Sequence, residues 1–149
     1  MTAPAYLLDT GIVLLATRAG HASQVIDAQF GLSSSSFRPA LCEVSVGELL
    51  AFANASHWGN KRKAALMQRL EASLIIPISH PGVHQRWAEM QSTLKSAGIS
   101  VGQNDIWIAA TASVTGLTVL STDGDFKHLV IHGLVPSVVV DPKTGVVVP

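Results

Sequence analysis

The segment Gly102 to Phe126, GQNDIWIAATASVTGLTVLSTDGDF, constrains the fold more tightly than any other part of the chain. Ile106 to Val114 is rich in small and apolar residues and reads as a buried helix. Gly116 closes it, where a glycine takes up the left-handed backbone of a helix end at little cost. Thr118 to Leu120 then gives a short β-branched strand. An acid stands at each end of this helix-to-strand unit, Asp105 opening the helix and Asp123 following the strand. In a parallel sheet both ends face the carboxyl edge of the strands, where ligands bind in open α/β folds.

Asn104-Asp105 followed by IWIAATA, and then LSTDGDF, resembles the C-terminal half of the PIN-domain nuclease family, most closely its small VapC-like toxins. The combination is specific: an acid, an Ala-rich helix, a strand and a hydroxyl-x-acid turn in that order.

The N-terminal half carries two further acids. Tyr6-Leu7-Leu8-Asp9-Thr10-Gly11 reads as a short buried strand ending at Asp9, followed by a helix. Asp9 suits an N-cap, accepting from free helix N–H groups. Its apolar neighbours also make a buried charge expensive unless a cation neutralises it, so from the residues alone both roles stay open. The segment resembles the opening of PIN domains, whose first strand ends in Asp followed by Thr or Ser. Gly11 departs from that pattern, standing where the family often has a polar residue.

Arg38 to Cys42 reads as the second strand, and Glu43 to Ala53 as a helix with Val44, Leu49, Phe52 and Ala53 on its apolar stripe. A Glu one turn inside a helix ordinarily faces solvent. Val44 to Leu50, VSVGELL, resembles the second family motif, and the resemblance implies that Glu48 faces a metal site. Glu43 is the competitor and lies ahead of the motif.

The rest of the chain supplies the remaining elements. His21 to Phe30 is weakly helical and Gly31 to Ser36 a loop. Lys61 to Leu70 is an amphipathic helix, and Leu74 to Ile78 a strand. Pro81 opens a helix to about Ala97, with Val83, Trp87, Met90 and Leu94 on its core or subunit-interface side. Phe126 to Leu129 reads as a short turn, Val135 to Val140 as the last strand, and the valine-rich tail to Pro149 as an edge strand or contact segment. With 149 residues and no internal repeat or linker, the expectation is one domain over 1–149. Its fold class is α/β, an α/β/α sandwich around a mainly parallel sheet.

Several chemistries are excluded. The serines of the 31–36 loop have no base arranged beside them. His80 and His84 have metal-like spacing, but Pro81 and Gly82 intervene and no third ligand is near. Neither a dinucleotide-binding nor a P-loop glycine pattern is present. Asp9-Thr10-Gly11 lacks the second acid of the Asp-x-Asp that phosphoaspartate enzymes commonly need.

Asp9, Glu48, Asp105 and Asp123 remain, at ends or edges of elements that a parallel arrangement brings together. Four close carboxylates repel and raise one another's pKa unless cations hold them. All-oxygen ligation selects a hard ion, Mg²⁺ or Mn²⁺, over zinc, and such a site suits phosphodiester hydrolysis. The resemblance implies the same: a metal-dependent ribonuclease toxin held inactive by a cognate antitoxin. Thr10 and Ser121 match the family's active-site hydroxyls. Asp125 is available as the fourth acid in place of Asp123, which is preferred because Asp125 directly precedes Phe126, as the family's more variable residue does. The alternative is a PIN-like module that has lost catalysis and acts only through metal or partner binding.

Composition bears on partners and location. Hydrophobic residues make up 48% of the chain and charged ones 13%, yet no apolar run reaches the about 18 residues of a membrane helix. The surplus apolar surface implies cover by another chain, a second copy in a homodimer or a different partner. One cysteine, Cys42, and an N-terminus without a basic leader predict a cytoplasmic protein. Ten basic residues balance ten acidic ones, so RNA binding must come from local patches. The densest is Lys61, Arg62, Lys63 and Arg69 on one helix, which reads as a solvated helix face unless dimerisation builds a basic groove from Arg38, Lys61, Arg62, Lys63 and Arg86.

Overall fold

The computed structural model describes residues 5–34 and 38–149; Ser35 and Ser36 of the expected loop lie outside the described residues. The elements run β1 (Tyr6–Leu8), α1 (Thr10–Arg18), α2 (His21–Phe30), β2 (Ala40–Cys42), α3 (Glu43–Ala55), α4 (Asn60–Ala72), β3 (Leu74–Ile76), α5 (Val83–Ser96), α6 (Gln103–Thr115), β4 (Thr118–Ser121), α7 (Asp125–Ile131) and β5 (Ser137–Val139). Among the described residues the strands form one sheet in the order β3-β2-β1-β4-β5, and every pairing is parallel.

The strands are short and apolar because both faces of the sheet are covered. Leu7 pairs with Val119 and with Ala40, and all three point to one face. Leu8 and its partner Leu120, with Leu41, point to the other. The first face packs against α5, α6 and α7 through Met90, Leu94, Ile108, Phe126 and Leu129. The second packs against α1 to α4 through Ile12, Val13, Ile26, Leu49 and Leu66. This is the expected α/β/α sandwich. No helix among the described residues is long and apolar enough to cross a membrane.

The small residues of α6 have a packing reason. Ala109, Ala110 and Ala112 are wholly buried, so α6 lies close to both the sheet and α5. Gly116 ends the helix at φ 71°. On α5, Val83, Met90 and Leu94 are buried, and Trp87 stacks on Trp107 with ring centroids 4.9 Å apart, so the stripe is core.

Several elements differ from expectation. Phe126 to Leu129 is not a turn but part of α7, a two-turn helix that burying Phe126 and Leu129 holds on the sheet. Phe52 is 40% exposed, its ring edge-on to Trp58 instead of in the core. The α5 helix starts at Val83, because Gly82 turns the chain at φ 90°. The tail folds back over β5: Val148 N donates to Val139 O at 2.8 Å and Asp141 N to Val146 O at 2.9 Å. That return covers part of an edge that would otherwise offer free backbone groups. A Cβ on Gly145 would press into the Ala22 carbonyl oxygen, so only glycine lets the tail lie this close to α2.

Candidate active site

The strand order reverses between β1 and β4. Their carboxyl ends are therefore neighbours, and the helices that follow diverge to opposite faces. Asp9 ends β1 and Asp123 follows β4. Asp9 is 6% exposed. Its Oδ1 accepts from Thr10 N at 2.7 Å, capping α1, and its Oδ2 accepts from Ser121 Oγ at 2.6 Å. The N-cap role is thus real, and it uses one oxygen. Burial pushes the Asp9 carboxyl above its ordinary value; hydrogen bonds from Ser121 and Thr10 oppose this, and the charges of Glu48 and Asp123 add to it.

Ser121 links two acids. Its hydroxyl donates to Asp9 and accepts from Asp123 N at 2.9 Å. Asp123 Oδ1 in turn accepts from Asp125 N at 2.9 Å, which holds the start of α7 to the end of β4.

Glu48 reaches the same place from α3. Thr10 Oγ1 donates to Glu48 Oε1 at 2.8 Å and Asn104 Nδ2 to Glu48 Oε2 at 3.2 Å. Glu43 does something else: its Oε1 accepts from Ile78 N at 2.7 Å and ties the start of α3 to the chain beyond β3.

Asp105 lies in the first turn of α6. A helix N-terminus favours a negative group by about 0.3–1 kcal/mol. Burial and the surrounding acids outweigh that: desolvation first, then the charges of Asp9, Asp123, Glu48 and Asp125, push the Asp105 carboxyl up to about 7. A group with an ordinary value of 3.8 thus titrates near neutrality.

The structure brings Asp9, Thr10, Glu48, Asp105, Ser121 and Asp123 to one edge and adds Asp125. One carboxylate oxygen each from Asp105, Asp123 and Asp125 lie within 4.8 Å of one another. Opposed ligands on a Mg²⁺ ion, with bonds of about 2.0–2.1 Å, stand about 4 Å apart. The donor set holds no sulfur or imidazole, and the acids repel when ionised, so these residues fit a hard cation. Asp123, the preferred fourth acid, and Asp125 each bring an oxygen to this cluster. Sequence reasoning missed Asn104 as a partner of Glu48, since an Asn at the start of a helix reads as ordinary end chemistry. It also missed Thr122: a Cβ on Gly11 would collide with Thr122 Oγ1, so the hydroxyl lies where a side chain at position 11 would begin.

Fold and site together define a parallel α/β domain with carboxylates gathered at its switch point. The sequence profile of the PIN domain matches residues 6–131, and the chain belongs to that family. It is similar to two ribonucleases of Mycobacterium tuberculosis (strain ATCC 25618 / H37Rv). To Ribonuclease VapC5 it is 30% identical over 128 residues, 86% of this chain and 90% of that protein. To Ribonuclease VapC4 it is 43% identical over 47 residues, 32% of this chain and 36% of that protein. Among solved structures, VapBC2 from Rickettsia felis, bound to a DNA fragment from its promoter, shares the fold: TM-score 0.73 at 20% identity, over 89% of this chain and 96% of that one. VapBC-5 from Mycobacterium tuberculosis, a member of the VapBC family of toxin-antitoxin systems, matches at TM-score 0.58 and 26% identity, over 85% of this chain and 91% of that one.

Proposed function

We propose that this protein is a metal-dependent endoribonuclease toxin that hydrolyses RNA phosphodiester bonds and is held inactive by a cognate antitoxin. The observation that carries the reading is the convergence of Asp9, Glu48, Asp105, Asp123 and Asp125, with Asp105 poised near pH 7 by the other four and by burial. Asp105, Asp123 and Asp125 would hold Mg²⁺ or Mn²⁺ directly, with Asp9 and Glu48 beside them. When bound, the ion supplies the charge that lets these acids ionise together, and the Lewis acidity that activates water and stabilises phosphoryl oxygens.

The chain's own groups set the geometry. Ser121 fixes Asp9 and the Asp123 turn through one hydroxyl. Thr10 and Asn104 each hold one oxygen of Glu48, so its carboxylate is aimed by α1 and α6 at once. The Asp105 carboxyl carries a proton to release as a cation arrives, which couples binding to pH.

Antitoxin and dimer partners are supported by apolar surface left open. Leu50, Phe52, Met67 and Ile75 are exposed on α3, α4 and β3, and Val130, Ile131, Val146 and Val147 on α7 and the tail. Toxin-antitoxin membership of VapBC-5 points the same way. Cytoplasmic residence fits a single cysteine that is a buried free thiol.

The test is cleavage of structured RNA by the partner-free protein with Mg²⁺, Mn²⁺ or chelator, beside Asp105→Asn. Metal-dependent cutting that vanishes in the variant is expected. Cutting that survives the substitution overturns the site. A folded, metal-bound protein that cuts none of a broad RNA panel moves the assignment to a binding module.

A further inference from the structure

A second charged feature lies on the α1–α4 side of the molecule, away from the acids. Between the end of α1 and the length of α4 runs an open groove of about 810 Å³. Arg18, Lys61, Arg62 and Arg69 line it, and no carboxylate does. In a chain whose charges balance to zero, four of ten cations sharing one groove is an imbalance that needs a counter-charge. Arg62 is held in place: its guanidinium lies 3.6 Å from the centroid of the Trp58 ring and donates to Thr17 Oγ1 at 3.4 Å. Burial first, and then the nearby charge of Arg18, push Arg62 below its ordinary value, so the two cations repel each other. Arg69 has an acidic neighbour, Asp27, in the adjoining cavity.

The groove also has a direction. The α1 helix begins at Thr10, which holds Glu48, and ends at Arg18. Nine residues at about 1.5 Å each make the two ends about 13 Å apart. Along α4, Lys61 and Arg69 are separated by about 12 Å, which a stacked strand spans with about three to four nucleotides at about 3.4 Å each. Between the cations the groove wall is mostly small, Ala16, Ala19, Gly59, Ala65 and Ala72, with the polar Thr17 and Gln68 among them. Those small residues leave the groove open between the cations, with room for a sugar-phosphate backbone.

We infer that the groove between α1 and α4 is a phosphate track, in which Arg18, Lys61, Arg62 and Arg69 hold the single-stranded RNA leading away from the acidic site. The inference rests on the ribonuclease reading and extends it to the path of the substrate. Each cation contacts a phosphate, positions the strand and reads no base.

The test uses the full chain carrying Asp105→Asn, so that RNA is not consumed, and a fluorescent mixed-sequence single-stranded RNA across a salt series. Arg18→Gln with Lys61→Gln removes two contacts and keeps Arg62 on Trp58 and Arg69 beside Asp27. The salt slope should shrink by about 1.4, at about 0.7 per phosphate on a single strand. The affinity lost between 50 and 200 mM salt should therefore be about sevenfold smaller than in the parent, with the melting temperature unchanged. An unchanged slope and affinity overturn the track. Weakened binding of polyglutamate with unchanged RNA binding also overturns it, in favour of an acidic protein partner. The same pair in the wild-type background should raise KM for RNA and leave kcat alone. If wild-type protein cuts RNA and the pair cuts it equally, the track fails while the nuclease stands. If wild-type protein cuts nothing, the nuclease reading fails while the RNA-binding comparison still decides the track.

Discussion

Replacing Asp105 by Asn should make the metal-free protein more stable while disabling the site. In the folded chain the Asp105 carboxyl titrates near 7, against an ordinary value of 3.8. The folded state therefore binds more protons than the unfolded state between those values, and stability falls as pH rises from about 4 to 7. At about 1.4 kcal/mol per pH unit the full penalty is a little over ~4 kcal/mol. Asp105 keeps partial contact with water, and solvent screening reduces the figure to about 2 kcal/mol. Asn has similar shape and no charge, so Asp105→Asn should regain about that much at pH 8. For a domain of this size that raises Tm by about 4–8 °C. The gain should shrink steadily as pH falls towards 4, close to the ordinary value of 3.8, where the unfolded chain also takes up the proton and little of the difference between the two states remains. Thermal melts of both proteins in chelator, at half-unit steps from pH 4 to 8, measure the difference. A gain that does not vary with pH, or a variant less stable at pH 8, would refute the claim that repulsion and burial strain Asp105. With Mg²⁺ at 100 times Kd the wild-type chain should gain about 2.7 kcal/mol, and the variant far less.

Glu43 and Glu48 should separate stability from metal binding. Glu43→Gln weakens the bond to Ile78 N, costing about 1 kcal/mol in denaturant melts with unchanged Mn²⁺ affinity by calorimetry, whereas Glu48→Gln should lower Mn²⁺ affinity at little cost to the fold. Gly11→Ala should lower Mn²⁺ affinity by forcing Thr122, and with it the Ser121–Asp123 turn, away from α1; Thr122→Ala should restore it in the double variant, and additive losses would show that the contact is not the cause. Phe126→Ala should cost about 3–5 kcal/mol by opening a cavity under α7, read as a lower urea midpoint; a loss under about 1 kcal/mol would mean that α7 does not seal the sheet.

The central unit was legible because composition and period agree there. The small residues of α6, its glycine end and the β-branched strand point to a buried parallel segment, and the acids at its two ends fall at one edge by topology alone. Asp9 was legible as a buried acid from Leu7, Leu8 and Ile12 around it. Glu48 was not legible from local pattern, since its helix shows an acid where solvent-facing acids are common; only the family motif marked it, and the hydroxyl of Thr10 and the amide of Asn104 show how it is held. The α7 helix escaped notice because seven residues carry too few turns for a periodic signal, and burial of Phe126 and Leu129 supplies what propensity does not. Phe52 was misplaced because an apolar stripe does not say where the partner helix stops; Trp58 and Leu66 fill that part of the core instead. Arg86, one cation of the groove expected from dimerisation, is engaged within its own chain: its guanidinium donates to Ser113 Oγ, the Leu134 carbonyl and Glu89.

The central position of β1 has a consequence for the chain as it is made. This strand leaves the ribosome before either of the strands that flank it, and Asp9 precedes its partner Ser121 by 112 residues. At about 5–20 residues per second, roughly 6 to 22 s separate the two during synthesis. Through that interval Asp9 has neither the Ser121 hydroxyl nor the Asp123 turn, and Glu48 waits 56 residues for Asn104. A nascent chain halted before β4 thus holds Asp9, Glu48 and Asp105 but neither Asp123 nor Asp125, and no assembled cluster. The acidic edge comes into being only as synthesis nears its end, and a binding protein that recognised the unfinished half would meet the chain before its chemistry exists.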